Sequence, residues 1–130
     1  MTFVVVAACG AAGAVSRYVV TYWVTLHVEA RWPLRSHDVN WGTHLVNVSG
    51  SFAIGLAVGL GLSATSDGLL RYAIATGFLG GYTTFSTWMY ETWRLWERGG
   101  RSIAFLNAAG ALAAGVAATA SGFALGSVLV

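Results

Sequence analysis

The stretch Gly77-Phe78-Leu79-Gly80-Gly81-Tyr82-Thr83-Thr84-Phe85-Ser86-Thr87-Trp88 sets three glycines and four serine or threonine hydroxyls inside an otherwise apolar run. Glycine costs about 1 kcal/mol relative to alanine in a helix interior, so Gly-Gly followed by Thr-Thr predicts a place where a helix unwinds. An interrupted helix leaves carbonyl oxygens at the end of its first half and N–H groups at the start of its second. The oxygens suit a cation and the N–H groups suit an anion. At membrane depth such backbone is tolerated only where it is buried in protein or lines a cavity. The pattern points to an ion site, although a simple kink would have the same composition.

The residues around this stretch have matching chemistry. Thr83, Thr87 and Glu91 fall at successive i, i+4 steps, and Phe85 stands three residues before Trp88, a spacing that shares a helix face. Aromatic ring edges carry partial positive charge. Edges and hydroxyl donors together can replace the water around a small anion without a full charge that would trap it. Glu91 is read as an anchor near the end of its span, a hydrogen-bond partner or a group on an ion path. Asn47 lies on one helical face with Ser51, Gly55 and Gly59, and an amide in mid-span must find partners, as packing glue or as a pathway group. Arg17 follows Gly13-Ala14-Val15-Ser16. A charge at that depth costs at least about 2.5–3.5 kcal/mol, so it either faces protein or a wet vestibule or snorkels to the interface. No nucleophile–base–orienter set can be read from the spacings, so the chain is not expected to be an enzyme. His27, His37 and His44 have no metal-ligand spacing, and the single Cys9 excludes an internal disulfide.

The elements that must position these residues are four apolar stretches of the length a spanning helix needs, about 20 residues: 3–26, 42–63, 69–93 and 102–128. The first polar connector contains the only proline, Pro33, with His37, Asp38 and Asn40 as turn formers. Small residues at four-residue spacing, Gly55 with Gly59, Ala111 with Gly115 and Gly122 with Gly126, predict close helix packing. Tyr22, Trp23, Trp32 and Trp41 gather near one boundary and Trp93 and Trp96 near another, as an aromatic belt does. The 130 residues are 56% hydrophobic and only 9% charged, with a mean hydropathy of +0.66; too few charges are present to cover a soluble domain. The expectation is one all-α domain, 1–130, in a membrane. All seven basic residues are arginine and the formal charge is +2, too sparse for a phosphate-binding stripe, which excludes nucleic acid as a partner.

Three segments together resemble the CrcB or Fluc family of small fluoride channels over essentially the whole chain. Gly13-Ala14-Val15-Ser16-Arg17-Tyr18 resembles the family's GAxxRY, Gly42-Thr43-His44-Leu45-Val46-Asn47-Val48-Ser49-Gly50-Ser51-Phe52 its GTxxVNxxGSF, and Gly77 to Thr87 its GFxGGxTTFST. The resemblance implies a four-helix subunit whose third helix is broken in mid-membrane, an antiparallel dimer and two fluoride pores at its interface. It implies pore residues at Asn47, Phe85, Ser86 and Thr87, and a vestibule or structural role for Arg17 and Glu91. It also implies a sodium ion (Na+) at the dimer centre on the backbone carbonyls of Gly80 and Thr83. The family usually places a second phenylalanine where Trp88 stands. An indole keeps a ring edge, adds an N–H donor and is bulkier.

Charge gives a topology. Arg31, Arg35, Arg94, Arg98 and Arg101 flank one side of the four spans and Arg71 the other, which predicts both termini outside. So strong a bias favours a fixed orientation, and therefore a heterodimer with an oppositely oriented paralogue, beside the family's default homodimer. The leading function is a passive fluoride channel in the cell membrane, expected to be a bacterial inner membrane, in contact with membrane lipid and reducing fluoride toxicity. The alternatives are a small proton-coupled multidrug exporter and a membrane scaffold. The first needs a membrane-embedded carboxylate, and the second leaves the Gly-Gly-Tyr-Thr-Thr-Phe stretch unexplained.

Overall fold

Helix directions in this chain follow from where glycine lets backbone meet backbone. The computed structural model describes residues 1–29, 39–61 and 68–130. The expectations resting on Arg31, Trp32, Pro33, Arg35, His37 and Asp38 lie outside the described residues. Helix α1 (Thr2–Val24) runs into a π-helical turn, Thr25–Glu29. Helix α2 (Trp41–Gly59) follows, capped by the Asn40 side chain, which accepts from the Thr43 N–H at 3.2 Å. The third helical segment is composite: α3 (Gly68–Arg71), a π-helical stretch Tyr72–Leu79, α4 (Gly80–Tyr82), two extended residues, and α5 (Phe85–Glu97). Helix α6 (Arg101–Val128) completes the elements of the described residues, all of them helical. Gly99, at φ +83°, turns the chain between α5 and α6 in the left-handed region that favours glycine.

Two glycine-lined contacts organise the bundle. Gly55 and Gly59 of α2 lie on the backbone of α6 at Thr119 and Phe123, while Gly122 and Gly126 of α6 lie on the backbone of α2 at Phe52 and Leu56. Residue numbers rise together across this contact, so α2 and α6 are parallel. The four-residue glycine spacings are therefore the α2–α6 interface, as the small-residue pattern predicts. In the same way Gly13 of α1 lies on Phe78 and Tyr82, and Gly77 and Gly81 lie on Val6, Cys9 and Gly10, which makes α1 parallel to the π-helical stretch and α4. Without a hydrophobic drive between helices in lipid, such close approach is what holds them together. Few large side chains are buried within the chain; Val24, Val46, Leu79 and Leu95 are among them. Phe3, Phe105, Val116 and Val128 face outward, the inverse of a soluble domain.

Among the described residues two helices, Thr2–Val28 and Arg101–Val128, are long and apolar enough to cross a membrane. Of the other two expected spans, one is a continuous helix and one is divided. Helix α2 has 19 residues, about 28 Å at 1.5 Å per residue, and the third is divided at Thr83 and Thr84. The interruption also lies later than the sequence suggests. Gly80 and Gly81 are still helical, and the missing side chain of Gly81 serves contact with α1 at Gly10 rather than unwinding.

This packing predicts opposite signs at two glycines of α6. A Cβ on Gly122 would fall on the Phe52 carbonyl and the Leu56 N–H of α2, whereas one on Gly110 meets nothing within 4 Å. Gly122→Ala should therefore destabilise by about 1–3 kcal/mol, as overpacking does. Gly110→Ala should stabilise slightly, by about 0.5–1 kcal/mol. Thermal unfolding in detergent measures both.

Candidate functional site

Thr83 (φ −79°, ψ 161°) and Thr84 (φ −147°, ψ 118°) are extended, so their backbone groups leave the helical ladder. Each then has a specific partner. The Thr83 N–H still donates to the Leu79 carbonyl at 3.0 Å. The Thr83 carbonyl accepts from Nη1 of Arg17 at 3.1 Å. Asn47 pairs with both backbone groups of Thr84: its Oδ1 accepts from the Thr84 N–H at 2.8 Å, and its Nδ2 donates to the Thr84 carbonyl at 2.9 Å. The Thr84 hydroxyl caps α5, accepting from the Thr87 N–H at 3.2 Å and donating to the Thr87 hydroxyl at 3.0 Å. Two polar side chains of two other helices thus supply what the interrupted helix lacks, as a segment excluded from water requires.

Beside the interruption runs an open groove of about 720 Å³ between α2, the start of α5 and α6; Asn47, Ser51, Thr83, Thr84, Phe85 and Trp88 form one side. Phe85 projects into it, 69% exposed, and meets Trp88 edge-to-face with ring centroids 5.5 Å apart. The α6 wall presents Ala111, Leu112, Gly115, Val116 and Ala120. Its one hydroxyl in the groove, Thr119, donates to the backbone at Ser51 and Gly115. Ser86 and Thr87 are exposed next to Phe85 and line no part of this groove.

The structure thus brings Arg17, Asn47, Thr83, Phe85 and Trp88 together. Gly80 is one helical turn before them. Glu91, further along α5, accepts a 2.7 Å hydrogen bond from the Thr43 hydroxyl of α2. One sequence reading is corrected. Thr83 does not share a helix face with Thr87 and Glu91, because it lies before the start of α5 in extended conformation; only Thr87 and Glu91 keep the i, i+4 relation. Arg17 faces protein rather than snorkelling outward, its guanidinium resting on the Thr83 carbonyl. Sequence reasoning missed Thr43 as the partner of Glu91, and Asn107 and Thr92 as partners around Trp88. A threonine in the first turn of α2 carries no signal of a carboxylate on another helix.

A family model described as CrcB-like protein, Camphor Resistance (CrcB), matches residues 4–123. The chain is 40% identical over 132 residues to the fluoride-specific ion channel FluC of Acidobacterium capsulatum, covering 100% of this chain and 99% of that protein. It is 39% identical over 128 residues to FluC of Thermus thermophilus, covering 98% and 95%. With FluC 1 of Symbiobacterium thermophilum it shares 37% identity over 130 residues, covering 97% and 98%.

The paired amide makes a specific prediction. Asn47→Ala leaves the N–H and carbonyl of Thr84 without their partner, and Thr84 is only 7% exposed. Each group should cost about 1–3 kcal/mol. Asn47→Asp keeps the acceptor but turns a carboxylate oxygen toward the Thr84 carbonyl. Both variants should unfold at lower temperature than the parent protein in detergent.

Proposed function

This chain belongs to the CrcB-like family, and on that footing we propose that it is a fluoride-selective ion channel of the cell membrane that lets cytoplasmic fluoride leave passively. The observation that carries the proposal is the covering of the Thr83 and Thr84 carbonyls by Arg17 and Asn47 beside a groove edged by Phe85 and Trp88. Fluoride is small and tightly hydrated, so a selective path must replace its water with donors, and bare carbonyls would repel it. Here the carbonyls of the interruption are turned to cationic or amide donors. Asn47 has a second Nδ2 hydrogen beyond the one given to Thr84, and Phe85 offers its ring edge. Ser86 and Thr87 add exposed hydroxyls beyond Phe85, and the guanidinium of Arg17 makes the region attractive to an anion. Glu91 and Thr43 act at the far side of α5, structurally or at a vestibule.

The groove is open along one side, and Phe85 stands exposed in it. A second chain in the opposite orientation would close it, place the interrupted helices at mid-membrane and give two pores by symmetry. Arg94, Arg98 and Arg101 gather where α5 turns into α6, and this charge favours one orientation of the chain with both termini outside. The partner is a second copy of this chain, the family's default, or an oppositely oriented paralogue, which the charge bias favours. The four helices act as one domain over residues 1–130.

Sodium is a further part of this proposal. The Thr84 N–H, which would serve the Gly80 carbonyl in a continuous helix, is held by Asn47, so the Gly80 carbonyl is released from the ladder. The Thr83 carbonyl has a second lone pair beyond the one facing Arg17. Gly80 and Thr83 from two copies would supply four carbonyl oxygens, a hard donor set suited to sodium, although Arg17 shares one of them. The ion would supply fixed positive charge at the centre of the dimer. The multidrug exporter and the scaffold have no support among the relatives, whose names are those of ion channels rather than enzymes.

The ring edge is the most testable element. Phe85→Ile removes it at constant hydrophobicity and should reduce fluoride efflux from proteoliposomes at least about 100-fold, equivalent to about 2.7 kcal/mol on the barrier, with unchanged elution of the assembly. Undiminished efflux would remove Phe85 from the pore.

A further inference from the structure

Trp88 of α5 carries an indole that is tied at its polar end. Trp88 Nε1–H donates to the Asn107 backbone carbonyl of α6 at 3.1 Å. The Asn107 side-chain Nδ2 donates to the Thr92 hydroxyl at 2.8 Å, and that hydroxyl donates to the Trp88 carbonyl at 2.9 Å. The three residues close a circuit between α5 and α6, and Asn107 is 5% exposed within it. The same indole packs edge-to-face on Phe85 and lines the groove.

We propose that Trp88 serves this channel through its ring alone. Its N–H is held away from the ion by Asn107, so an anion in the groove meets a carbon-bound ring edge at Trp88 and never the indole donor. The argument is geometric. One N–H has one hydrogen, and a hydrogen committed to the α6 carbonyl is not free for an ion beside Phe85. The consequence is for selectivity. A strong single donor in the path would hold a fluoride ion, whereas a ring edge stabilises it weakly and releases it, as conduction through successive sites needs. Asn107 and Thr92 are positioning residues in this scheme: they fix the α5–α6 contact that keeps the indole N–H turned away from the path while the ring lines it. The inference rests on the fluoride-channel reading for its function, but its structural content, the commitment of the N–H, stands independently of conduction.

Indole-15N-labelled protein in detergent provides the test, with the Trp88 signal identified as the one missing from Trp88→Phe. Sodium fluoride is added against sodium chloride as control. The Trp88 signal should keep the same position in both salts within its line width and should move in Thr92→Val, which opens the circuit. A fluoride-specific displacement of that signal would overturn the proposal. Efflux from proteoliposomes gives a second readout. Trp88→Leu should conduct fluoride at least about tenfold more slowly than Trp88→Phe, which retains a ring, a difference of about 1.4 kcal/mol. Equal losses in both variants would show that the N–H matters and would overturn the proposal. Absence of fluoride efflux from the parent protein even with an oppositely oriented paralogue added would instead count against the channel reading, and the labelled-indole result would still decide the state of the N–H.

Discussion

Backbone polar groups cannot be left unpaired where water is absent, and this fold is organised around the two residues at which a helix fails to pair its own. Thr83 and Thr84 leave the ladder in extended conformation. Arg17 from α1 and Asn47 from α2 complete their bonding. An unsatisfied group in hydrocarbon costs several kcal/mol, so the interruption is sustainable only with both partners present. The same two side chains screen the carbonyls that would otherwise turn a negative dipole toward the groove. Structural need and electrostatic use coincide in one set of hydrogen bonds.

The surrounding packing serves to deliver those partners. Arg17 reaches Thr83 because α1 lies closely against the third segment, with Gly13 on the backbone of Phe78 and Tyr82 and Gly81 on that of Gly10. Asn47 reaches Thr84 because Gly50, nearly one turn further along α2, makes room for the Thr83 side chain. Helix α2 is held in turn by its glycine contact with α6. A side chain introduced at any of these contacts would separate helices whose spacing sets the hydrogen bonds at the interruption.

Much of this was legible in the sequence, for identifiable reasons. The helical segments could be read because length and hydropathy are local signals, and the extended Thr83 and Thr84 fall inside the Gly-Gly-Tyr-Thr-Thr stretch that composition marks. The glycine spacings of α2 and α6 could be read because four-residue periodicity marks one helix face. Within the Gly-Gly-Tyr-Thr-Thr stretch the extended residues are the threonines, while Gly80 and Gly81 stay helical and Gly81 packs on α1. The Thr83–Thr87–Glu91 face failed for the same reason: two extended residues before α5 break the phase on which periodicity depends. The pairs Thr43–Glu91 and Trp88–Asn107 were not legible at all. They join different helices, and their register is set by packing that no local pattern encodes. The tie on the Trp88 indole removes a donor that residue type alone suggests.

Release of ions from liposomes containing only this chain tests the central claim most directly. Vesicles loaded with potassium fluoride or potassium chloride are treated with a potassium ionophore, and anion release is followed by ion-selective electrodes. Rapid fluoride release with no chloride release above protein-free vesicles is the predicted result. Equal release of the two anions, or no fluoride release from correctly folded protein even with an oppositely oriented paralogue added, would contradict the account.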